Sequence, residues 1–260
     1  MRIVNAIARA ADILELVASA PEPLRVSTIA TAIGIPRNSV YEIVNTLASR
    51  RMVHMGDDGR VRLGSWLFEL GSRYAQSVDL LAEARATASR VRDASGETVH
   101  VATLDGRHAL YLIKEESRHL VRMSSAIGLR LPAHVSGVGK AMLAALPVDE
   151  LKRRFAGVTL ERLTPNSLTT FAALERDLAA TRIRGYAVDN EESSPEVRCV
   201  AAALLDARRD VVAGMSISVP VSRMSPSRER ELADIVIRAV DDLGVRLAYR
   251  VEGSLAAAAG

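Results

Sequence analysis

The sequence predicts an α+β protein in two parts: a small N-terminal unit of three helices closed by a β-hairpin, and a larger unit of helices packed on a largely antiparallel sheet. Three observations carry this. Apolar residues recur at helical spacing from Ile3 to Leu47; the stretch MVHMGDDGRVRLG then alternates about an Asp/Gly turn; and beyond Gly96 short apolar runs mix with helical patterns. A chain of 260 residues, 48% hydrophobic and 25% charged, has room for two cores and the composition of a folded globular protein. The expected division is residues 1–72 for the first unit, 73–94 for a connecting helix and 95–260 for the second.

Ile3, Ile7, Ala10, Leu14 and Val17 form one stripe of a first helix, which Pro21-Glu22-Pro23 stops. Ile29, Ala30 and Ile33 mark a short second helix, with Ser27 or Thr28 placed to help cap its start. Gly34 supplies the left-handed turn at its end. Pro36 opens a third helix, because its missing N–H costs nothing there, and Val40, Val44 and Leu47 form that helix's inward stripe. Two short helices joined so tightly cross steeply and leave the outer face of the second free. In the hairpin that follows, Val61 and Leu63 point one way and Arg60 and Arg62 the other. Three helices and such a hairpin make a winged helix-turn-helix. Leu67, Leu70 and Tyr74, then Leu81, Ala84, Ala88 and Val91, predict a fourth helix running into a long connecting one that Ser95-Gly96 ends.

For the second unit the patterns predict strands at 98–104, 108–115, 120–123, 186–190, 197–205 and 211–219. Helices are expected near 137–146, 149–155, 169–184 and 227–244. Asp105-Gly106 and Arg208 to Asp210 read as hairpin turns, which makes the sheet largely antiparallel.

Composition excludes several classes. The net charge of +3 permits a nucleic-acid partner without requiring one, so that reading rests on motif geometry. The single cysteine, Cys199, leaves no intramolecular disulfide framework or multi-cysteine zinc site, and it fits a reducing, cytoplasmic setting. Arg9, Asp12 and Glu15 interrupt the apolar start, so it is not read as a signal peptide, and no run suits a membrane span. The five histidines show no metal-ligand spacing, and the sequence predicts no metal and no cofactor.

Outside the inward stripe of the third helix stand Arg37, Asn38, Ser39, Tyr41 and Asn45, types that bond phosphates or base edges, and Arg60 and Arg62 on the hairpin suit phosphates or the minor groove. A helical bundle would also place a Gly-x-Pro turn here; the hairpin directly after it favours duplex DNA. Glu42 is a counter-signal on such a face. The stretch HVSGVGK fails as a phosphate loop, having His134 where glycine belongs and Ala141 where Ser or Thr belongs. It leaves either a structural turn or a helix start able to hold a small anion. Ser216 and Ser218, two apart on one strand, share a face: either it meets the core, where each hydroxyl needs a partner or ligand, or it meets water. Cys199 reads as a small core residue, with a nucleophile served by His134 as the alternative. Asp189 and Glu191-Glu192 offer acids without an opposed carboxylate, so the sequence predicts no catalytic residue.

Taken in order, GIPRNSVYEIVNTL, the VRLG after the wing, LPAHVSGVGKAMLA, RGYAVDNEE with VRCVAA, and MSISVPVSR make the chain resemble the IclR family of bacterial transcriptional regulators over nearly its whole length. The resemblance implies a GAF-like effector-binding fold for the second unit and homodimers that pair into tetramers. It also implies a small-molecule effector, a carboxylate held between the Gly137 and Val138 amides and Ser216 and Ser218. Leu120 and Met123 would form the apolar wall, with Asp189 and Cys199 also lining the site. The chain departs from the family pattern at Glu196, where relatives carry glycine, at Ala203, where they often carry proline, and at Glu42, where they tend to have arginine.

Overall fold

The computed structural model describes residues 3–76, 79–119, 125–206 and 208–258. The chain divides into two compact units, Met1–Val78 and Asp79–Gly260.

The first unit runs α1 (Asn5–Ser19), β1 (Leu24–Arg25), α2 (Val26–Ile33), α3 (Arg37–Ser49), β2 (Val53–Met55), β3 (Arg60–Leu63) and α4 (Ser65–Gln76). Its core gathers Ile13 and Val17 from α1, Val26 and Ile29 from α2, Val40, Val44 and Leu47 from α3, and Val53 and Val61 from the hairpin. Gly34 sits at φ +71°, and its N–H donates to the Ala30 carbonyl, the left-handed stop expected between α2 and α3. Two expectations fail at helix starts. No side chain caps α2, which begins at Val26, ahead of Ser27 and Thr28. On α1 the buried face is Ile13 and Val17, while Ile3 and Ile7 are 70% and 69% exposed. Their spacing is right for a stripe, but α1 outruns the elements it packs on. A strand was missed as well: β1 pairs antiparallel with β3, Leu24 opposite Val61 and Arg25 opposite Arg60, giving a three-stranded sheet of order β1-β3-β2. Two residues between prolines and a helix carry no periodicity.

The second unit begins with α5 (Asp79–Ser95), then β4 (Thr98–Asp105), β5 (His108–Glu115), β6 (Arg130–Pro132), α6 (Gly137–Ala145), α7 (Val148–Phe155), α8 (Phe171–Arg184), β7 (Ala187–Asn190), β8 (Val197–Leu205), β9 (Val211–Pro220) and α9 (Pro226–Ala258). The strands form one antiparallel sheet of order β6-β5-β4-β9-β8-β7. One face carries Val99, Val101, Val200, Leu204, Met215, Ile217 and Val219 and forms a core with α5 and α9. On the other face Ala102, Tyr111, Ala187 and Ala201 meet Val138, Ala141 and Met142 of α6. Behind α6, Leu143 and Ala144 pack with Leu151, Phe155, Leu174 and Leu178 from α7 and α8. The expected strand at 120–123 lies outside the described residues; β6, three residues ending in proline, went unpredicted.

Candidate functional site

In the first unit α3 buries Val40 and Val44 completely and Leu47 nearly so, which turns the opposite face to solvent. Arg37, Asn38, Tyr41 and Asn45 are exposed there, and Ser39 is half-buried. Tyr41 is 51% exposed, unusual for a large ring with no contact to cover it. On the hairpin Arg62 is exposed, whereas Arg60 is half-buried and held by acids, 3.3 Å from Asp58 and 3.9 Å from Glu22, with a weak bond to the Pro23 carbonyl. The two arginines are therefore unequal. Arg62 extends into solvent, and Arg60 braces the hairpin.

In the second unit β4, β5, β8, β9 and the segments after β7 and β9 border a half-open cavity of about 1010 Å³. Cys199 and Ser218 line it, with His100, Tyr111, Ser125, Leu129, Leu131 and Arg223. Register makes the polar wall: Thr98 and Cys199 stand opposite Ser218, and His100 and Ala201 opposite Ser216, so both serines lie on the α6 face of the sheet. The core-facing alternative is thus the correct one. The Cys199 thiol donates to Ser218 Oγ at 3.2 Å, Ser218 Oγ lies 3.3 Å from His100 Nδ1, and His100 Nε2 lies 2.8 Å from Ser125 Oγ. Tyr111 meets the His100 ring edge to face at 5.1 Å.

Burial, helped by the charge of Lys114, pushes the pKa of His100 down to about 4, so it is a neutral donor and acceptor near pH 7. Burial and the nearby Asp189 raise the Cys199 thiol far above its ordinary value. A protonated, hydrogen-bonded thiol is a poor nucleophile, and His134, the base considered from sequence, bonds the Glu161 carbonyl at 2.9 Å instead.

The other sequence-predicted residues lie under the cavity or outside the described residues. Val138, Asp189 and Ser216 are buried and absent from the lining. Gly137 opens α6 pressed on the sheet: a Cβ there would come within 3.1 Å of Cys199 Cβ and 3.5 Å of Asp189 Cβ, so a side chain would crowd the sheet at the helix start. Ser136 caps α6, accepting from the Gly139 amide at 3.1 Å. Asp189 turns to the chain after it: Oδ1 accepts from the Glu192 amide at 2.7 Å and Oδ2 from the Ser193 hydroxyl at 2.5 Å, while burial raises its pKa. Leu120 and Met123 lie outside the described residues.

Sequence reasoning missed His100, Tyr111 and Arg223. Arg223 follows β9 and forms a two-pronged pair with the buried Glu97, at 2.9 and 2.6 Å. These residues come from distant segments that only the strand register brings together; the one signal was His100, a histidine inside an apolar strand. Also missed was the reason for glycine where Glu196 stands: its φ is +61°, the left-handed region that glycine enters freely.

Comparison with known proteins places these features. The sequence matches the IclR helix-turn-helix domain over residues 6–55 and the bacterial transcriptional regulator IclR C-terminal domain over residues 72–245. It is 36% identical over 249 residues to the HTH-type transcriptional regulator BhcR of Paracoccus denitrificans, covering 95% of this chain and 88% of that relative. The crystal structure of the Thermotoga maritima IclR superposes with a TM-score of 0.76 at 30% identity, covering 94% of this chain and 99% of that one. An IclR homolog from Microbacterium hydrocarbonoxydans, crystallised in complex with 4-hydroxybenzoate, shares the fold with a TM-score of 0.80 at 24% identity, over 92% of this chain and 98% of that one.

Proposed function

The chain belongs to the IclR family of DNA-binding transcriptional regulators, and we propose that its operator affinity is set by a small organic acid held in the cavity of the second unit. The observation that carries this is the wall itself: hydrogen-bonding groups, Ser218, His100, Ser125 and Tyr111, set beside Leu129 and Leu131 in one half-open cavity that Arg223, Glu191 and Glu196 also line. Such a wall suits a ligand with an apolar body and one or two polar ends. The ligand named for the Microbacterium relative, 4-hydroxybenzoate, has that form. Gly137 and Val138, Asp189 and Ser216 act beneath this wall, shaping it, and the family resemblance assigns Leu120 and Met123 to its apolar side.

Operator reading falls to α3. Its exposed Arg37, Asn38, Tyr41 and Asn45, with Ser39 at the edge, enter the major groove, Arg62 contacts the backbone from the wing, and Arg60 holds the wing in place. Recognition is by a homodimer or a dimer of dimers, so two α3 helices meet successive half-sites, and the exposed Ile3 and Ile7 offer an apolar face for a second copy. An effector acts by binding two dimer arrangements unequally.

The test has two arms. Thermal shift with 4-hydroxybenzoate and with aliphatic carboxylates should raise the melting temperature for at least one acid, and that acid should change a gel shift on DNA upstream of the protein's own gene. Specific DNA binding that no bound acid alters would overturn the effector reading.

A further inference from the structure

Lys140 is the largest side chain in the described structure with no solvent exposure. It belongs to α6, whose residues Gly137 to Ala144 are all buried, and a buried ammonium is tolerated only if paired. Its Nζ lies 2.6 Å from Glu192 Oε1 and 3.2 Å from Asp177 Oδ2 on α8. The second oxygen of Glu192 is buried without a hydrogen-bond partner, and the first accepts from Lys140 and, at 3.4 Å, from the Asn190 amide, so the lysine is the main tie on that carboxylate. Glu192 belongs to the segment 191–196, which supplies Glu191, Ser193, Ser194, Pro195 and Glu196 to the cavity wall. Neither Lys140 nor Glu192 lines the cavity. Other ties of this segment run to Asp189, which accepts from its amides, to Thr164 and Ser167, which donate to the Glu191 and Glu192 carbonyls, and to Val221, whose amide donates to the Glu196 carbonyl. The Lys140 tie is different, since it fastens the wall to the helix whose first turn lies on Cys199 and Asp189.

We infer that Lys140 is a positioning residue: through Glu192, and braced by Asp177, it latches the 191–196 wall to α6 and sets how readily the cavity opens, without touching what enters. The meaning of this latch for regulation rests on the effector reading above; the opening of the wall does not. Four charged groups meet there, Lys140 from α6, Asp177 from α8, Asp189 from β7 and Glu192 itself. Burial, opposed by Lys140, raises the pKa of Glu192 to about 7, so the closed wall favours the protonated carboxyl and ionisation above neutrality favours opening, which returns the carboxylate to water.

Cys199, the chain's only cysteine and part of the cavity lining, reports opening with no effector present. The full chain would be reacted with 4,4′-dithiodipyridine at pH 6 and pH 8, as wild type and as Glu192→Gln, with circular dichroism confirming the fold. The glutamine keeps a hydrogen bond to Lys140 but cannot ionise, so it loses what opening gains from releasing a carboxylate to water. It should react more slowly than wild type, by a factor that grows roughly tenfold from pH 6 to pH 8. Asp177→Asn, which leaves Glu192 in place and removes a neighbouring negative charge, should slow the reaction less at pH 8. A folded Glu192→Gln reacting like wild type at both pH values would overturn the latch. So would a rate equally raised at both, the mark of a merely loosened fold; should Glu192→Gln not fold, an unchanged Asp177→Asn decides against it. Were no acid to bind while the rates behaved as described, the effector reading would fall and the latch would stand.

Discussion

The two units handle polar groups in opposite ways. On α3 the groups proposed to meet DNA stand in water, and the helix is stabilised by Val40, Val44 and Leu47 on the far side. Around the cavity the polar groups are buried and already bonded to one another, from Cys199 through Ser218 and His100 to Ser125, and from Lys140 through Glu192 and Asp189 to Ser193. A surface that reads a charged duplex can leave its donors hydrated until contact, because phosphates repay their desolvation. A cavity for a small molecule must fix its donors beforehand, and each fixed donor needs a buried partner. Function and stability are therefore separable in the first unit and entangled in the second.

The largest expected effect tests that entanglement. Lys140→Met leaves the buried Glu192 and the partly buried Asp177 without their cation, and one broken buried pair costs about 3–5 kcal/mol. Denaturant titration should show the second unit losing stability by that order. Equal stability of mutant and wild type would mean that the carboxylates are rehydrated or protonated at no cost, and the contrast between the units would be gone.

The opposite face of the comparison predicts affinity lost without stability. Arg37→Ala removes an exposed side chain with no partner among the described contacts, so stability should stay within about 0.5 kcal/mol. Operator binding by fluorescence anisotropy should weaken by about 1–3 kcal/mol if the residue reads a base, with relaxed sequence preference. A uniform loss across sequences, with a shallower salt dependence, would reassign it to a phosphate.

This difference also decides what the sequence could reveal. The helix-turn-helix is local: the stripe Val40, Val44, Leu47, the turn at Gly34 and the alternation of the wing each occupy a few consecutive residues, so periodicity finds them and the exposed residues follow by subtraction. The paired serines were likewise legible as a shared face. The rest of the cavity was not. His100 meets Ser218 across 118 positions and Arg223 meets Glu97 across 126, pairings that exist only once the order β4-β9-β8 is set. Lys140 was hidden by convention, since a lysine after Gly-x-Gly invites a phosphate, and nothing local signals that Glu192 will come to it.

A smaller effect concerns the cavity rim. Glu196 holds φ at +61°, which costs a non-glycine residue about 1 kcal/mol, while its amide donates to Glu191 Oε2 and its carbonyl accepts from the Val221 amide. Those two bonds use backbone and survive substitution. Glu196→Gly should thus raise stability by up to about 1 kcal/mol, less the extra freedom glycine has when unfolded. A decrease in melting temperature would show that the Glu196 side chain contributes more than the strain removes.

The smallest expected effect in the wild type arises from two larger ones that oppose. The pKa of Glu192 is raised from 4.5 to about 7, so between those values the folded state holds a proton the unfolded state has lost, and stability falls as pH rises. Asp189, also raised by burial, adds to the same direction. His100 is lowered from 6.5 to about 4, so in that window the unfolded state holds the extra proton and stability rises with pH. Between about pH 4.5 and 6.5 the slopes of Glu192 and His100 cancel, and the second unit should melt at nearly constant temperature. Each substitution unmasks the other: Glu192→Gln should leave a profile that rises with pH, and His100→Gln one that falls. Melting followed by circular dichroism across this range separates the two, and parallel profiles in both variants would show that neither buried group titrates as its surroundings dictate.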